Sequence, residues 1–416
     1  MNQARAEGLT ARERLASIGW IPGRSEYFRH LPPPGMEVWL GDGNEMPAAE
    51  PVVHESSAGA GWALELLGTA RQGLVEAQWL DAADATQRSR LFAGIAAPGD
   101  SDADRFAWAH QAMCRRGLRL RIGGGAKASA GGEPGETVSL VLRRQAQAAL
   151  EAPTLVIDVL PGMHCVLLET HERGASMEAV VQNLDVHITL GAGASLQHLR
   201  VATPGRDDRI AHRVHARLGR GARYDQALIA CGSNYHLQRT ELDLHAAQGS
   251  ARTGAALFAA GTALEQQVEV LHRGADTTSD VEALVLASGK ARGVVNAYSR
   301  IAAGADEASI RQRLSGIPTD GQPRLVLRPH LEINHDKVQA VHGATWGALP
   351  EDALFYARQR GLNESSARAL IIEGLLTALL ERSLSDPAVL ETLGVHALLG
   401  NAVARYLAAG KGLSHE

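Results

Sequence analysis

The sequence predicts a mainly β protein, with a parallel β-helix core between an N-terminal mixed α/β domain and a C-terminal helical domain. Three observations carry this. Short apolar runs in the middle of the chain end on glycine at recurring intervals. Glycine is abundant, at 44 of 416 residues, while Phe, Tyr and Trp reach only 4%, which suits many turns and small repeated core layers. After residue 349 the apolar spacing changes from alternate residues to every third and fourth. The boundaries read from these shifts are 1–134, 135–345 and 346–416. A chain of this length ordinarily divides into two or three domains unless it is an elongated repeat.

In the first section, residues 10–18 can form a short amphipathic helix, and Pro32, Pro33 and Pro34 force an extended linker. Between residues 103 and 116, Phe106, Ala107, Ala109, Met113 and Cys114 fit a helix that stops at Gly117. In the middle section, the run 155–160 meets Pro161-Gly162 and is followed by 165–169. Residues 186–190 run into Gly191-Ala192-Gly193-Ala194, and 214–218 run into Gly219-Arg220-Gly221-Ala222, so one strand-to-turn phrase recurs after 28 residues. Similar punctuation returns at Gly249, Gly274, Gly289 and Gly304. Strands too short to bury themselves singly can share one core if the chain winds as a solenoid. A β-sandwich or jelly roll also has many short strands, and periodicity leaves it open.

The last section reads as helix. Pro350 fits a first helical position, Glu351 and Asp352 suit the positive N-terminal end, Arg358 and Arg360 suit the other end, and Gly361 supplies a stop. A second helix starts near Asn363 and carries Ala367, Leu370, Ile371, Gly374, Leu375, Ala378 and Leu379 as one apolar stripe. A third spans about 387–409. These helices are expected either to cap the open end of the solenoid or to offer a docking face to another protein.

Composition excludes several classes. Lys and Arg number 41 against 46 Asp and Glu, with no lysine-rich tract, so nucleic acid is not an expected partner. No apolar run is long enough to cross a bilayer, and Arg5, Glu7, Arg12, Glu13 and Arg14 replace a secretion h-region, which points to no membrane and a cytoplasmic location. Cys114, Cys165 and Cys231 are odd in number and far apart, so three reduced thiols are expected rather than a disulfide framework or a metal site of their own.

No catalytic residues are assigned. The run Gly123-Gly124-Gly125-Ala126-Lys127-Ala128-Ser129 lacks the spacing that wraps backbone amides and a lysine around phosphates. Gly191-Ala192-Gly193 and Gly219-Arg220-Gly221 begin like a dinucleotide fingerprint, but Leu196 and Tyr224 stand where the third glycine belongs. His212 and His215 face opposite sides of a strand and should not share a metal. His164, His171, His187, His198, His236, His245 and His272 read individually as hydrogen-bonded or exposed, and the adjacent Asp207 and Asp208 as solvated. His342 stands apart. Leu325, Leu327, Leu331 and Ile333 share one alternating face, while His330, Glu332 and Asn334 take the other; after a turn at His335-Asp336, Val338, Ala340 and His342 again share parity. This places His342 at the end of the last strand, where spacing alone favours a structural histidine.

Read together, Arg328-Pro329-His330-Leu331-Glu332-Ile333, Asp336-Lys337-Val338, His342-Gly343-Ala344-Thr345, Leu354-Phe355-Tyr356 and Arg358-Gln359-Arg360-Gly361 resemble the C-terminal signature of the SufB/SufD family. Weaker similarity runs through Ala291-Arg292-Gly293-Val294-Val295-Asn296, Glu169-Thr170-His171 and the 183–194 strand and turn; Pro22-Gly23-Arg24-Ser25-Glu26-Tyr27 is a looser match near the start. SufB-like members carry cysteine where Ala357 stands and an acidic residue where Gly343 stands, so the resemblance is to the SufD-like branch. The chain departs from many SufD-like sequences in having Ala340 where they have cysteine.

The resemblance implies a right-handed parallel β-helix and a non-catalytic scaffold subunit for iron–sulfur cluster assembly. The implied partners are a SufB-like subunit and a SufC-like ATPase, with a homodimer open to the chain when alone. It places His342 at the SufB-like interface as a candidate ligand for a transient Fe–S cluster. It places the ATPase contact on the C-terminal helices, with Phe355, Tyr356, Arg358, Arg360, Arg368 and Glu381 as expected contact residues. No cluster is expected to stay on the chain alone, since one imidazole does not hold one. Two rivals are a SufB-like principal scaffold, which Ala357 opposes, and a β-helix enzyme acting on polysaccharide.

Overall fold

The computed structural model describes residues 3–41, 58–59, 61–68, 72–123, 136–172 and 179–413. Beyond Gly123, the glycine-rich run considered above lies outside them. The strands are β1 (Ala58–Gly59), β2 (Trp62–Leu67), β3 (Val75–Asp81), β4 (Arg116–Ile122), β5 (Thr137–Gln145), β6 (Leu150–Glu151), β7 (Thr154–Val159), β8 (His164–Glu172), β9 (Val181–Leu190) and β10 (Ser195–Ala202). They continue as β11 (Arg209–Leu218), β12 (Arg223–Cys231), β13 (Tyr235–Leu244), β14 (Ser250–Ala260), β15 (Ala263–His272), β16 (Thr278–Gly289), β17 (Arg292–Ile301), β18 (Ser309–Gly321), β19 (Arg324–Ile333) and β20 (Gln339–Trp346).

The even-numbered strands from β8 onward, together with β5, β2 and β1, form sheet A, and the odd-numbered strands from β7 onward, with β4 and β3, form sheet B, to which β6 adds through β9. Each turn of chain lays one strand in each sheet. Neighbouring coils pair in parallel, giving a parallel β-solenoid of about 7 turns. A sandwich or jelly roll is antiparallel between neighbours and is thereby excluded. Val186 pairs with Val214, the 28-residue recurrence seen in the sequence.

Alternation along each strand sends one row of side chains between the sheets and the other row outward. The inward rows build one continuous core, including Leu167, Leu196, Val186, Val214, Leu257, Val285 and Val295. Gly193 and Gly221 turn the chain at positive φ, while Gln248, Asp276 and Glu307 do so at equivalent corners without glycine. Gly117 has a different use. A Cβ there would meet Leu91 at 2.5 Å and the Thr154 carbonyl at 3.0 Å, so it lies inside β4 and is not a helix stop. The expected 103–116 helix is accordingly shorter, a 3-10 turn followed by α4 (Arg105–Met113).

Helices cover both outer faces. α1 (Gln3–Ile18), α2 (Met36–Leu40) and α4 bring Leu15, Trp39 and Phe106 against Ala211, Leu237 and Val294 of sheet B. Between them in sequence, α3 (Ala85–Leu91) supplies Leu91 to a small cluster with Leu80 and Val156. On the other side, α5 (Glu351–Gln359), α6 (Glu364–Ser383), α7 (Ala388–Thr392) and α8 (Val395–Leu413) follow the solenoid. Ile372, Leu376, Leu379, Val403 and Tyr406 pack on Leu199, Ile229, Phe258 and Leu286 of sheet A. The C-terminal helices therefore lie along the side of the solenoid and do not cap its end.

Two details of these helices differ from expectation. The third helical segment is broken at Gly394, whose φ of 64° separates α7 from α8. In α6 the buried stripe is Ala367, Ile372, Leu376, Leu379, Leu380 and Ser383, while Leu370 and Gly374 face solvent. The helix is apolar on more than one face, and sheet A selected a face rotated from the expected one.

Candidate functional site

His342 lies within β20, which continues to Trp346, and not at a strand end. Its neighbours in parity, Ala340 and Ala344, pack inward, so His342 belongs to the inward row of the last coil. In sheet A it is the terminal rung of an in-register ladder: His198, Gln226, Thr253, Val281, Gln312 and His342. Gln312, directly beneath, is fully buried and donates to Ser299 Oγ at 2.8 Å and to the His330 carbonyl at 3.2 Å. His342 is exposed because no further described coil covers it, and it makes no hydrogen bond or ion pair to another described residue. β19 and β20 each end their sheet, and Val341 (65% exposed), Trp346 (61%) and Ile333 (45%) stand beside these free edges.

Of the other expected contact residues, Phe355 and Tyr356 are exposed at 65% and 59% on α5. Arg360 donates to the Tyr356 hydroxyl at 2.6 Å, with its guanidinium 4.8 Å from the ring centroid. Arg358 and Arg368 converge on Glu364 at 3.7 and 2.9 Å. With exposed Leu362 and Leu370, these residues make an apolar surface edged by arginine across α5 and α6. Glu381 is exposed near the far end of α6. Ala357, by contrast, is buried, and Ala340 packs with Ile310 at a solenoid corner.

The histidines that looked scattered are gathered by coil register. Glu169, His171, His198, Arg200, His212 and His236 project inward on successive coils and are all buried. Glu169 accepts from His171, from His198 at 2.8 Å and from Arg200 at 3.1 Å. Gln238 accepts from Arg200 at 3.1 Å and donates to His212 at 3.2 Å and His236 at 2.7 Å. His212 donates to Gln182 at 2.6 Å, His236 to the Cys231 carbonyl at 2.6 Å, and the Tyr224 hydroxyl to His198 at 3.1 Å.

In this network His198, His212 and His236 each have one donor and one acceptor partner, the pattern of a neutral imidazole. Burial lowers the pKa of each, His236 to about 4 and His212 well below the usual range. Burial alone would raise Glu169, but Arg200 and the two histidines outweigh it and hold the carboxyl well below ordinary values. This network thus holds the Glu169–Arg200 ion pair in a shell of histidine, glutamine and tyrosine donors and acceptors. Coil-to-coil repetition at the same parity was the available sequence signal, but only register reveals which residues coincide.

On the outer face, His212 and His215 do separate as expected. His215 bonds Asp185 at 3.2 Å and Glu241 at 2.9 Å, and these two carboxylates overcome burial to raise its pKa to about 9. His187 stacks on it at 5.0 Å and also meets Asp185. His164 pairs with Ser195, His272 with Thr277 and Ser279, and exposed His245 with Arg217. Asp207 is exposed, but Asp208 is a correction: it is buried and accepts the Val180 and Gly205 amides at 2.9 and 2.7 Å, pinning the turn before β11. The three cysteines are unpaired, and burial pushes the Cys231 thiol up to about 11. Among the described residues no group of three or more His, Cys, Asp and Glu is arranged to hold a metal ion. No described helix is long and apolar enough to cross a membrane.

A parallel β-solenoid with a helical flank defines a repeat-built protein, and most of its exposed large hydrophobic residues lie at the last coil and along α5 and α6. Residues 142–375 match the model of the SUF system FeS cluster assembly SufBD core domain, more than half of the chain, so it belongs to the SufB/SufD family. Among curated relatives it is 30% identical over 96 residues to the iron-sulfur cluster assembly protein SufD of Escherichia coli, covering 23% of each chain. It is 41% identical over 59 residues to an iron-sulfur cluster assembly SufBD family protein of Synechocystis sp., 14% of this chain and 13% of that one. A SufBD family protein of Mycobacterium tuberculosis is 27% identical over 108 residues, 26% of this chain and 13% of that one. The matched stretches thus span less than a quarter of each relative's length.

Proposed function

We propose that the chain is a SufD-like, non-catalytic subunit of a cytoplasmic scaffold for iron–sulfur cluster assembly, working with a SufB-like subunit and a SufC-like ATPase. The observation that carries this is the position of His342: an inward-row residue, stacked on buried Gln312, left uncovered at two unpaired sheet edges. Unpaired edges flanked by Val341, Trp346 and Ile333 invite pairing with another chain's strands, and a SufB-like partner docked there would cover His342.

With Ala340 and Ala357 in place of thiols, His342 contributes one imidazole, and the remaining ligands to the nascent cluster come from the partner. The cluster is cargo, held at the interface and passed on. The exposed Phe355, Tyr356, Leu362 and Leu370, edged by Arg358, Arg360 and Arg368, suit the ATPase contact. Aromatic and arginine residues commonly anchor such interfaces.

The test is co-expression with SufB-like and SufC-like partners, followed by iron and sulfide analysis of the purified complex. His342→Ala is expected to leave the complex intact and lower its cluster content; unchanged content removes the ligand role. Charge reversal at Arg368 or Glu381 is expected to weaken capture of the ATPase, and undiminished capture places that contact elsewhere.

A further inference from the structure

Three stretches far apart in sequence meet on the outer face of sheet B. Glu26 and Tyr27 come from the N-terminal motif, Asn296 from the 291–296 stretch, and Arg328 with His330 from the C-terminal signature. They surround a cavity of about 300 Å³ that the cluster-assembly reading does not use. This is the lower end of the range for small-molecule sites, enough for a ring of nucleobase size with a short substituent.

Both flanks are aromatic and braced. On one side Tyr298 and His330, in register on β17 and β19, stack with centroids 4.9 Å apart and planes at 15°. The Tyr298 hydroxyl donates to Glu332. On the other side the Tyr27 ring lies over the Arg239 guanidinium, 5.3 Å from centroid to carbon. Arg239 donates to Glu241, Gln267 and Glu269, each at 2.6 Å, so its charge is already matched.

The floor has unmade bonds. Gln267 donates to the Tyr27 carbonyl at 2.9 Å and to Glu265 Oε1 at 2.8 Å, and Asn296 donates to the same oxygen at 2.8 Å. This leaves Asn296 Oδ1 and Glu265 Oε2 buried without a partner. Buried polar atoms are seldom left so, and of these two residues Asn296 is the one that lines the cavity. Burial raises the Glu265 carboxyl to about 8, so it carries its proton at neutral pH and adds no charge behind the floor.

Arg328, at the rim, differs from Arg239. It contacts the Glu26 carbonyl at 3.3 Å and its carboxylate only at 3.6 Å, and that side chain is itself 85% exposed. Both contacts are long and the guanidinium is partly exposed, so an anion can displace them and be held through two N–H groups.

The geometry points to a binding site for a small planar aromatic anion, with its ring between Tyr27 and the Tyr298–His330 pair and its anionic group on Arg328. The ring stacks on phenol and imidazole faces, which tolerate many ring types, while Arg328 selects for charge. The cavity opens on the outer face of sheet B, whereas the inward row bearing His342 belongs to sheet A, so the two sites can be altered independently.

The test is saturation-transfer NMR on the full chain with AMP, orotate and indole-3-acetate as probes, with adenosine as the uncharged counterpart of AMP and with inorganic phosphate and acetate as ring-free controls. At least one ring anion is expected to bind saturably. Tyr298→Ala is expected to weaken it about tenfold, the upper range for loss of one stacking partner. Arg328→Gln is expected to weaken AMP about fivefold while leaving adenosine unchanged, as loss of a partly exposed charge pair predicts. Failure of all three ring anions to bind overturns the proposal, as does equal competition by phosphate or acetate, or wild-type binding by the Arg328→Gln variant. Arg328→Gln alters only a rim side chain, so it decides the matter even if Tyr298→Ala fails to fold.

Discussion

At its N-terminal end the solenoid finishes in antiparallel strands, β2 on β5 and β3 on β4, whereas at its C-terminal end the last strands, β19 and β20, pair only in parallel with the coil before them. The same contrast shows in two tryptophans. Trp62 at the closed end is 1% exposed, with the Arg144 guanidinium 5.4 Å from its ring; Trp346 at the open end is 61% exposed. A repeat array needs each end finished, because the last coil otherwise exposes an apolar interior and unpaired backbone. One end is finished within the chain. The other leaves Val341, Trp346 and His342 exposed on its last strand.

The comparison is broken most severely inside the closed half. Glu169→Ala leaves Arg200 buried without its carboxylate, and a loss of about 3–5 kcal/mol is expected in denaturant unfolding. His342→Ala, the corresponding change at the open end, should stay within about 0.5 kcal/mol of wild type, as for an exposed side chain. A similar loss from both would refute the difference between the ends.

The tryptophans sharpen the same point. Trp62→Ala is expected to cost about 3–4 kcal/mol, in line with buried aromatic truncations. Trp346→Ala should be nearly silent in the isolated chain but reduce association with the SufB-like partner. Sedimentation of the co-purified complex separates these outcomes.

A smaller effect depends on pH. His215 has a folded pKa of about 9, above its unfolded value near 6.5. Its contribution is therefore fully present below about pH 6.5 and lost as pH rises through 9. Relative to His215→Ala, the wild-type chain should lose up to about 3 kcal/mol of stability between pH 6 and 9.5. Parallel pH profiles of melting for the two proteins would refute this.

Much of the fold was legible because it is written in local patterns. Residues 186–190 and 214–218 announced a repeat, and they lie in register. Pro350 and Gly361 bracketed α5, with Pro350 proving to be the capping residue before it. Other features depend on what packs against what. α6 has apolar residues on more than one face, and Leu370 could be assigned to solvent only once sheet A had taken Ile372 and Leu376. Asp208 looked like a loop carboxylate, yet two amides bury it. The cavity beside Tyr27 was unreadable, because Glu26 and Arg328 are 302 residues apart.

The sequence by itself determined the solenoid strands, the helical C-terminal section and the family, since alternation, helical spacing and the signature from Arg328 to Gly361 are all carried by neighbouring residues. Only the tertiary structure decided that Glu169, His198, Arg200 and His212 meet, and that His342 is an inward residue left uncovered. The physical reason is register. A strand fixes which residues share a face, but stacking of successive coils chooses which residues of different strands touch.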